Sequence, residues 1–459
     1  MSTIATTNRN ELRFRRLLDG PILLTLFVLA LPNAALVTAQ SLATIADAYF
    51  VGKVGIVPLA GIALAFPIQA LMGMMSQGAM GGGISSAIAR ALGAGDRARA
   101  EALAVNALAI GAVLAGVYTL LFAVLARPTF SLLGGRGPAL EASVAYGQVL
   151  FGGAIAIWLS NTFASILRGT GNMLVPGVVM TIGFVLSVPL SGALTLGWFG
   201  LPALGVRGPA AAFVAMFAIA GALMGAYVFS GRAGLAIRPS TLHLRRELIA
   251  DILRVGLPGS GNAILMIVTV IVVTAFVSGY GTAALAGYGL GSRLEIMLVP
   301  IAFGVGAALV ALVGANRGAK QFARARRIAW TGGGTVFVLC SFIGMVAIFA
   351  PELWIGLFSR DAGAQDVARQ YLQIAGIGYP VFAMGMALNF ATQGTGNVNI
   401  SLLAGTLRAV VVIGGGALVV YGMGGGLAWL FACVTVGFFV FGLILAWAVK
   451  FGRLWNPCR

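Results

Sequence analysis

Long apolar runs recur along the whole chain, separated by short polar segments. Twelve of them are long enough to cross a bilayer as helices at roughly 1.5 Å per residue. They lie at roughly 21–51, 56–82, 102–126, 141–164, 173–196, 205–229, 257–280, 284–312, 328–350, 368–391, 400–420 and 424–449. The pattern predicts an all-α integral membrane protein with twelve transmembrane helices.

The pattern also repeats. A shift of 226 residues lays Leu31-Pro32 on Leu257-Pro258, Phe50-Val51 on Phe276-Val277, and Leu59-Ala60-Gly61 on Leu285-Ala286-Gly287. After one deletion the shift is 225, and Gly93-Ala94 falls on Gly318-Ala319, Tyr146 on Tyr371, and Gly169-Thr170-Gly171-Asn172 on Gly394-Thr395-Gly396-Asn397. Chance does not hold one register over so many positions. Each half has six helices, an even number, so both start on the same side of the membrane. The prediction is two pseudo-symmetric six-helix bundles in a parallel repeat, about an axis along the membrane normal. Two such bundles leave a cleft between them, an arrangement suited to alternating access. The expected divisions are a cytoplasmic N-terminal segment 1–20, a lobe 21–229, a basic linker 230–256, a second lobe 257–449 and a cytoplasmic tail 450–459.

Composition agrees: 59% of the 459 residues are apolar and 9% charged, far from a soluble globular chain. The net charge of +17 would suit nucleic acid, but the basic residues fall in loops between apolar runs, so no nucleic-acid partner is expected. With the N-terminus inside, 22 of the 29 Lys and Arg fall on inner segments and six on outer ones. Both termini are therefore expected in the cytoplasm of a cell whose inner (cytoplasmic) membrane holds the protein. Arg9 to Arg16 precede a full-length apolar run with no cleavage site before it, which reads as a first span, not a removable signal.

One residue stands out against this background. Asp47, in LATIADAYFVG, is the sole acidic or basic side chain in the run from Pro21 to Val51. A carboxylate there costs on the order of 2.5 kcal/mol or more on insertion. It is tolerated if it faces a polar interior or carries a proton, so it reads either as a hydrogen-bonded interior acid or as a proton or cation site. Its repeat position is Val273, so the charge belongs to the first lobe alone. Arg293 and Glu295 form a second ionisable pair inside a helix. Two residues apart they point to different faces, and they either pin the second lobe to its neighbours or serve a gate or cavity.

Other features are weaker. The glycine runs at 81–83, 332–334 and 424–426 lack the following lysine of a phosphate loop and suit close helix packing. Met74, Trp158 and Phe382 supply the soft and aromatic surface that a cavity for lipophilic cations would need. Cys340, Cys433, Cys458 and the one histidine, His243, have no metal or disulfide spacing. No nucleophile–base pair or cofactor loop is present, so neither an enzyme nor a cofactor is expected.

Taken together, ADAYFVG, ARALGAGDRARAE, LRGTGN, LGVRGPAAA, GLGSRLE and GANRGAK resemble the multidrug and toxic compound extrusion (MATE) family, and the resemblance covers nearly the whole chain. It is closer to the DinF-type branch. The acids that NorM-type members carry in the seventh and tenth helices correspond to Met266 and a position near Phe382. The resemblance implies cation-driven export of organic, often lipophilic cationic compounds, with the coupling ion at Asp47. In two places the chain departs from the branch pattern. Phe184 and Val188 replace a polar pair before Pro189 in the fifth helix, and Phe213 replaces a threonine in the sixth. Tyr146 and Asn161 are the expected polar partners of Asp47. So thin a shell suits a proton better than sodium, which wants several oxygens. Pro32, whose nitrogen cannot donate to the helix, is the expected hinge. A monomer is expected. The alternative is a flippase of the same superfamily that moves a lipid-linked precursor.

Overall fold

The structure, a computed structural model, describes residues 12–237, 244–358, 361–452 and 455. Arg9, Arg238, His243, Arg360, Arg453, Cys458 and Arg459 lie outside the described residues. The described chain is helical throughout its spans. Eleven single helices are long and apolar enough to cross a membrane, and a bent pair supplies a twelfth. They are α1 (Ile22–Val54), α2 (Ile56–Gly93), α3 (Arg97–Leu132), α4 (Gly137–Gly152 and Ala154–Gly169, bent by 48°), α5 (Leu174–Leu196) and α6 (Arg207–Phe229), then α7 (Arg246–Ser278), α8 (Thr282–Gly318), α9 (Phe322–Phe349), α10 (Ala362–Thr395), α11 (Asn399–Gly422) and α12 (Leu427–Phe451).

Several helices begin earlier than the apolar runs. Helix α7 starts at Arg246, inside the expected linker, because Leu248, Ile252 and Val255 form a buried stripe beneath its charged first turns. Hydropathy alone does not register such an amphipathic extension. Helices α3 and α10 are started by Asp96 and Asp361, whose side chains accept from the amides of Arg99 (2.9 Å) and Ala364 (2.7 Å).

The two halves share one packing scheme. In the first, α1 lies on α5, α5 on α6, α6 on α4, and α4 on both α2 and α3; in the second, α7 lies on α11, α11 on α12, α12 on α10, and α10 on both α8 and α9. Both α4 and α10 break at glycines related by the 225-residue shift, Gly153 and Gly378. The fold is therefore two six-helix lobes, each with its own apolar core.

The lobes meet mainly where the second part of α2 packs on the second part of α8, flanked by α1, α7 and α10. The contact is reciprocal. A Cβ on Gly93 would lie 2.1 Å from the carbonyl oxygen of Ala315, and one on Gly318 would lie 2.1 Å from that of Arg90. Arg90 and Ala315 are themselves related by the repeat, as expected for two lobes facing each other across an axis. Asp251 of α7 ties the same end together, with Arg90 Nη2 at 2.7 Å and Arg99 Nη2 at 3.2 Å. This end is closed by backbone contact that tolerates no side chain. Gly93→Val is expected to pry it open. A cysteine at Ala89, fully buried against Gly314, should then react with N-ethylmaleimide about tenfold faster than in the Gly93 parent, roughly a 1.4 kcal/mol shift in the opening equilibrium. Equal labelling rates would mean that this contact does not hold the lobes together.

Candidate ion and substrate site

Asp47 sits two turns before the end of α1, half-buried where α1 meets α5. The two helices approach closely because Gly177 of α5 has no side chain; a Cβ there would lie 2.5 Å from the Cβ of Pro32. The same approach carries Ser191 to Asp47, and its hydroxyl donates to Asp47 Oδ1 at 2.5 Å. Helix α1 runs unbroken through Pro32.

Tyr146, from α4, is buried and close enough to feel the Asp47 charge, but its hydroxyl donates to Gln69 Oε1 of α2 at 2.8 Å. Asn161 takes another direction. Its Nδ2 donates to Ser76 Oγ at 2.9 Å, in a π-helical turn of α2 at Met74–Met80. Such turns widen a helix and often accompany function. Phe184 and Phe213, at two of the three positions where the branch pattern is polar, face each other at 6.1 Å and close over Phe217. The polar side chain that α5 does supply, Ser191, lies two residues after Pro189, beyond the segment in which the family pattern places its polar pair.

The remaining expected residues are dispersed. Met74 opens the π-helical turn, which packs on α7. Met266 is half-buried on α7 against the core of the second lobe. Trp158 is fully buried within the first lobe beside Tyr118, at 5.7 Å. Phe382 is fully buried within the second lobe, stacked on Phe438 at 4.5 Å. Arg293 is exposed. Glu295 is half-buried and accepts from the hydroxyl of Tyr371 at 2.5 Å.

That last bond repeats the first lobe. The repeat carries Gln69 onto Glu295 and Tyr146 onto Tyr371, so each lobe has one tyrosine donating from its fourth helix to its second. The second lobe adds a charge that was counted with the inner segments although it falls within the expected run 400–420. Arg408 is buried on α11, nine residues in from Asn399, with its guanidinium 4.8 Å from the ring centre of Phe382 and 5.6 Å from that of Phe438. Glu295 acts on it electrostatically. Arg168 was likewise counted with the inner loops, yet it lies in the last turn of α4 with 3% of its surface exposed. Arg293, the arginine expected inside a helix, is thus exposed, and among the described residues the two buried arginines are Arg168 and Arg408. Arg168 was misplaced because a basic residue beside a glycine turn looks like a loop residue, and Arg408 because a charge tally does not register that a residue within an apolar run is buried.

Two pseudo-symmetric six-helix lobes packed against each other, with an acid on the first helix, define a polytopic membrane transporter. A family model, MatE, matches residues 32–192 and 258–418, together well over half of the sequence and one match per lobe. The chain belongs to the MATE family. It is 27% identical over 388 residues to a probable multidrug resistance protein NorM of Thermotoga maritima, covering 81% of this chain and 80% of that protein. It is 28% identical over 374 residues to a multidrug export protein MepA of Staphylococcus saprophyticus, covering 80% and 81%. Its fold matches a crystal structure of MATE in complex with MaD3S at a TM-score of 0.85 and 25% identity, over 95% of this chain and 97% of that one.

Proposed function

We propose that this transporter is a cation-coupled antiporter, driven by protons, that exports organic and often lipophilic cationic compounds by alternating access. The observation that carries the reading is Asp47, a half-buried acid between two helices that meet closely where Pro32 packs on the backbone of Gly177. Its near polar partner is one hydroxyl, that of Ser191. A carboxyl with a rotatable hydroxyl beside it satisfies its hydrogen bonds both with and without a proton, because the hydroxyl donates to the anion and accepts from the acid. The relatives named for multidrug resistance and export support the direction and breadth of transport. The closed, glycine-lined contact between α2 and α8 supports alternating access, since breaking it would open the seam at that end. The termini belong in the cytoplasm. Removing Arg168 and Arg408 from the loop tally leaves 20 inner basic residues against six outer ones. The reading takes the chain to act as a monomer in the cytoplasmic membrane, without a cofactor.

The test is transport of a fluorescent lipophilic cation in everted vesicles under an imposed pH gradient or an imposed sodium gradient. The proton reading expects the pH gradient alone to drive transport, and sodium to leave the rate unchanged within about a factor of two. Transport driven by sodium alone would replace the proton by sodium. Transport indifferent to both would remove coupling from the proposal.

A further inference from the structure

Arg168 poses a problem that the reading of Asp47 does not solve. Its side chain is buried in the last turn of α4, and Nε and Nη2 have no hydrogen-bond partner. No charged side chain among the described residues acts on it. A guanidinium stays charged in any protein environment, and a buried charge without a counter-charge is strongly unfavourable. Its repeat position is the neutral Gln393, so the second lobe supplies no carboxylate there. The Phe303 ring, with its centre 5.9 Å from the guanidinium, attracts the charge without neutralising it.

Arg168 lines a small pocket in the seam between the lobes. The first lobe contributes Gln77 and three glycines of α2 to its wall, and the second contributes Phe303 of α8 and Phe390 of α10. The glycines make the room: a Cβ on Gly78 would meet nothing within 4 Å. No acid lines the pocket. Its volume, about 10 Å³ counted for the centres of water-sized spheres, holds one particle of about that size and excludes a carboxylate, a phosphate or a ring. One water molecule fits, but it leaves the charge of Arg168 unbalanced. One chloride ion, little larger than a water, balances it.

We propose that this pocket holds a single chloride ion, which neutralises Arg168 and latches the two lobes at this seam. The two unpartnered donors of Arg168 hold the ion by charge-assisted hydrogen bonds, and the amide of Gln77 is a further donor on the same wall. Because the walls come from both lobes, the site is whole only while the lobes are closed here. When they part, water reaches Arg168 and the ion is released. A ligand that binds one of two states shifts the equilibrium toward it, so chloride favours the closed seam. The latch rests on the lobes parting at this seam during the cycle, and not on the ion at Asp47.

Bromide replaces chloride and is located directly by its anomalous scattering. Crystals of the full-length protein in this closed state, grown in potassium bromide, should show one bromide beside the Arg168 guanidinium. The latch is read by N-ethylmaleimide labelling of an Ala89→Cys variant in an uncharged detergent, with chloride exchanged for gluconate at equal ionic strength. Labelling should be about tenfold slower in about 100 mM chloride than in gluconate, as a Kd of about 10 mM requires. Adding Arg168→Gln should make the two rates equal, and Arg168→Lys should keep most of the difference. A water or the Gln393 carbonyl beside Arg168 in the bromide crystals, with no bromide there, overturns the proposal. So does a chloride effect that survives in a folded Arg168→Gln variant; where that variant fails to fold, the bromide position in the wild type decides. Bromide at Arg168 with equal labelling rates in chloride and gluconate overturns the latch. Failure of proton-driven efflux with the bromide and the chloride effect both present would count against the coupling mechanism and leave the anion site standing.

Discussion

Asp47→Asn is expected to abolish ion-driven efflux, by at least about a hundredfold, while the protein remains folded in the membrane. Asparagine keeps the size of the side chain and can still accept from Ser191, so the contact between α1 and α5 survives. What it loses is the ability to exchange a proton. A driving ion moves a conformational equilibrium only through a difference in affinity for the two states, and a full switch from 1:99 to 99:1 needs about 5.5 kcal/mol. Charging a carboxylate in a half-buried site supplies an energy of this kind, because the charge costs several kcal/mol where water is excluded and little where water reaches it. The amide that replaces it is neutral in both states and supplies no difference. Ser191→Ala should be milder, about tenfold or less, since it removes one hydrogen bond and leaves the acid. Rates in everted vesicles under a pH gradient, normalised to the amount of protein, provide the measurement. Wild-type efflux by a well-expressed Asp47→Asn variant would place the coupling elsewhere.

The second lobe should respond unequally to loss of Glu295 and loss of Arg408. Glu295→Gln leaves Arg408 buried, always charged, and without the one carboxylate that acts on it among the described residues. Arg408→Met leaves Glu295, which can take up a proton and become neutral. Breaking a buried, contacting pair typically costs about 3–5 kcal/mol; because Glu295 is half-buried and acts on Arg408 without an ion-pair contact, about 2 kcal/mol is the fitting expectation for Glu295→Gln. Arg408→Met forfeits the contacts with Phe382 and Phe438, about 1 kcal/mol or somewhat more. Thermal unfolding of the detergent-purified protein should therefore fall further for Glu295→Gln than for Arg408→Met, and the double variant should recover part of the loss. If Arg408→Met is the more damaging change, Arg408 is held by its aromatic cradle and not by the charge of Glu295.

Much of the architecture was legible in the amino-acid sequence because it is written in one dimension. Spanning helices announce themselves by the length of their apolar runs, and the two lobes by a shift of 226 and then 225 residues that matches positions from Leu31 to Asn172. Asp47 stood out for the same reason, since a lone acid in an apolar run needs no folding to be noticed. The reciprocal fit of Gly93 on Ala315 and of Gly318 on Arg90 gives three-dimensional form to a symmetry that the repeat had already implied. The sequence also carried the stripe Leu248, Ile252 and Val255 that starts α7 at Arg246, but charged residues around it hid it from hydropathy.

Pairings were decided only by the tertiary structure. Ser191 stands 144 residues from Asp47, and Tyr371 stands 76 from Glu295. Nothing local distinguishes these hydroxyls from others on apolar helices; the crossing of α1 with α5 and of α8 with α10 selects them. The same holds for the buried arginines. Arg168 next to a glycine turn looks like a loop residue, and Arg408 within its apolar run gives no sign that it is buried, because local sequence reports hydropathy and not depth. Depth follows from how helices stack: α4 runs its last turn into the seam between the lobes, and α11 turns Arg408 toward the rings of Phe382 and Phe438. The sequence thus determined the spans, the twofold repeat and the acid of the first lobe, whereas stacking of the helices determined which charges are buried and what each one faces.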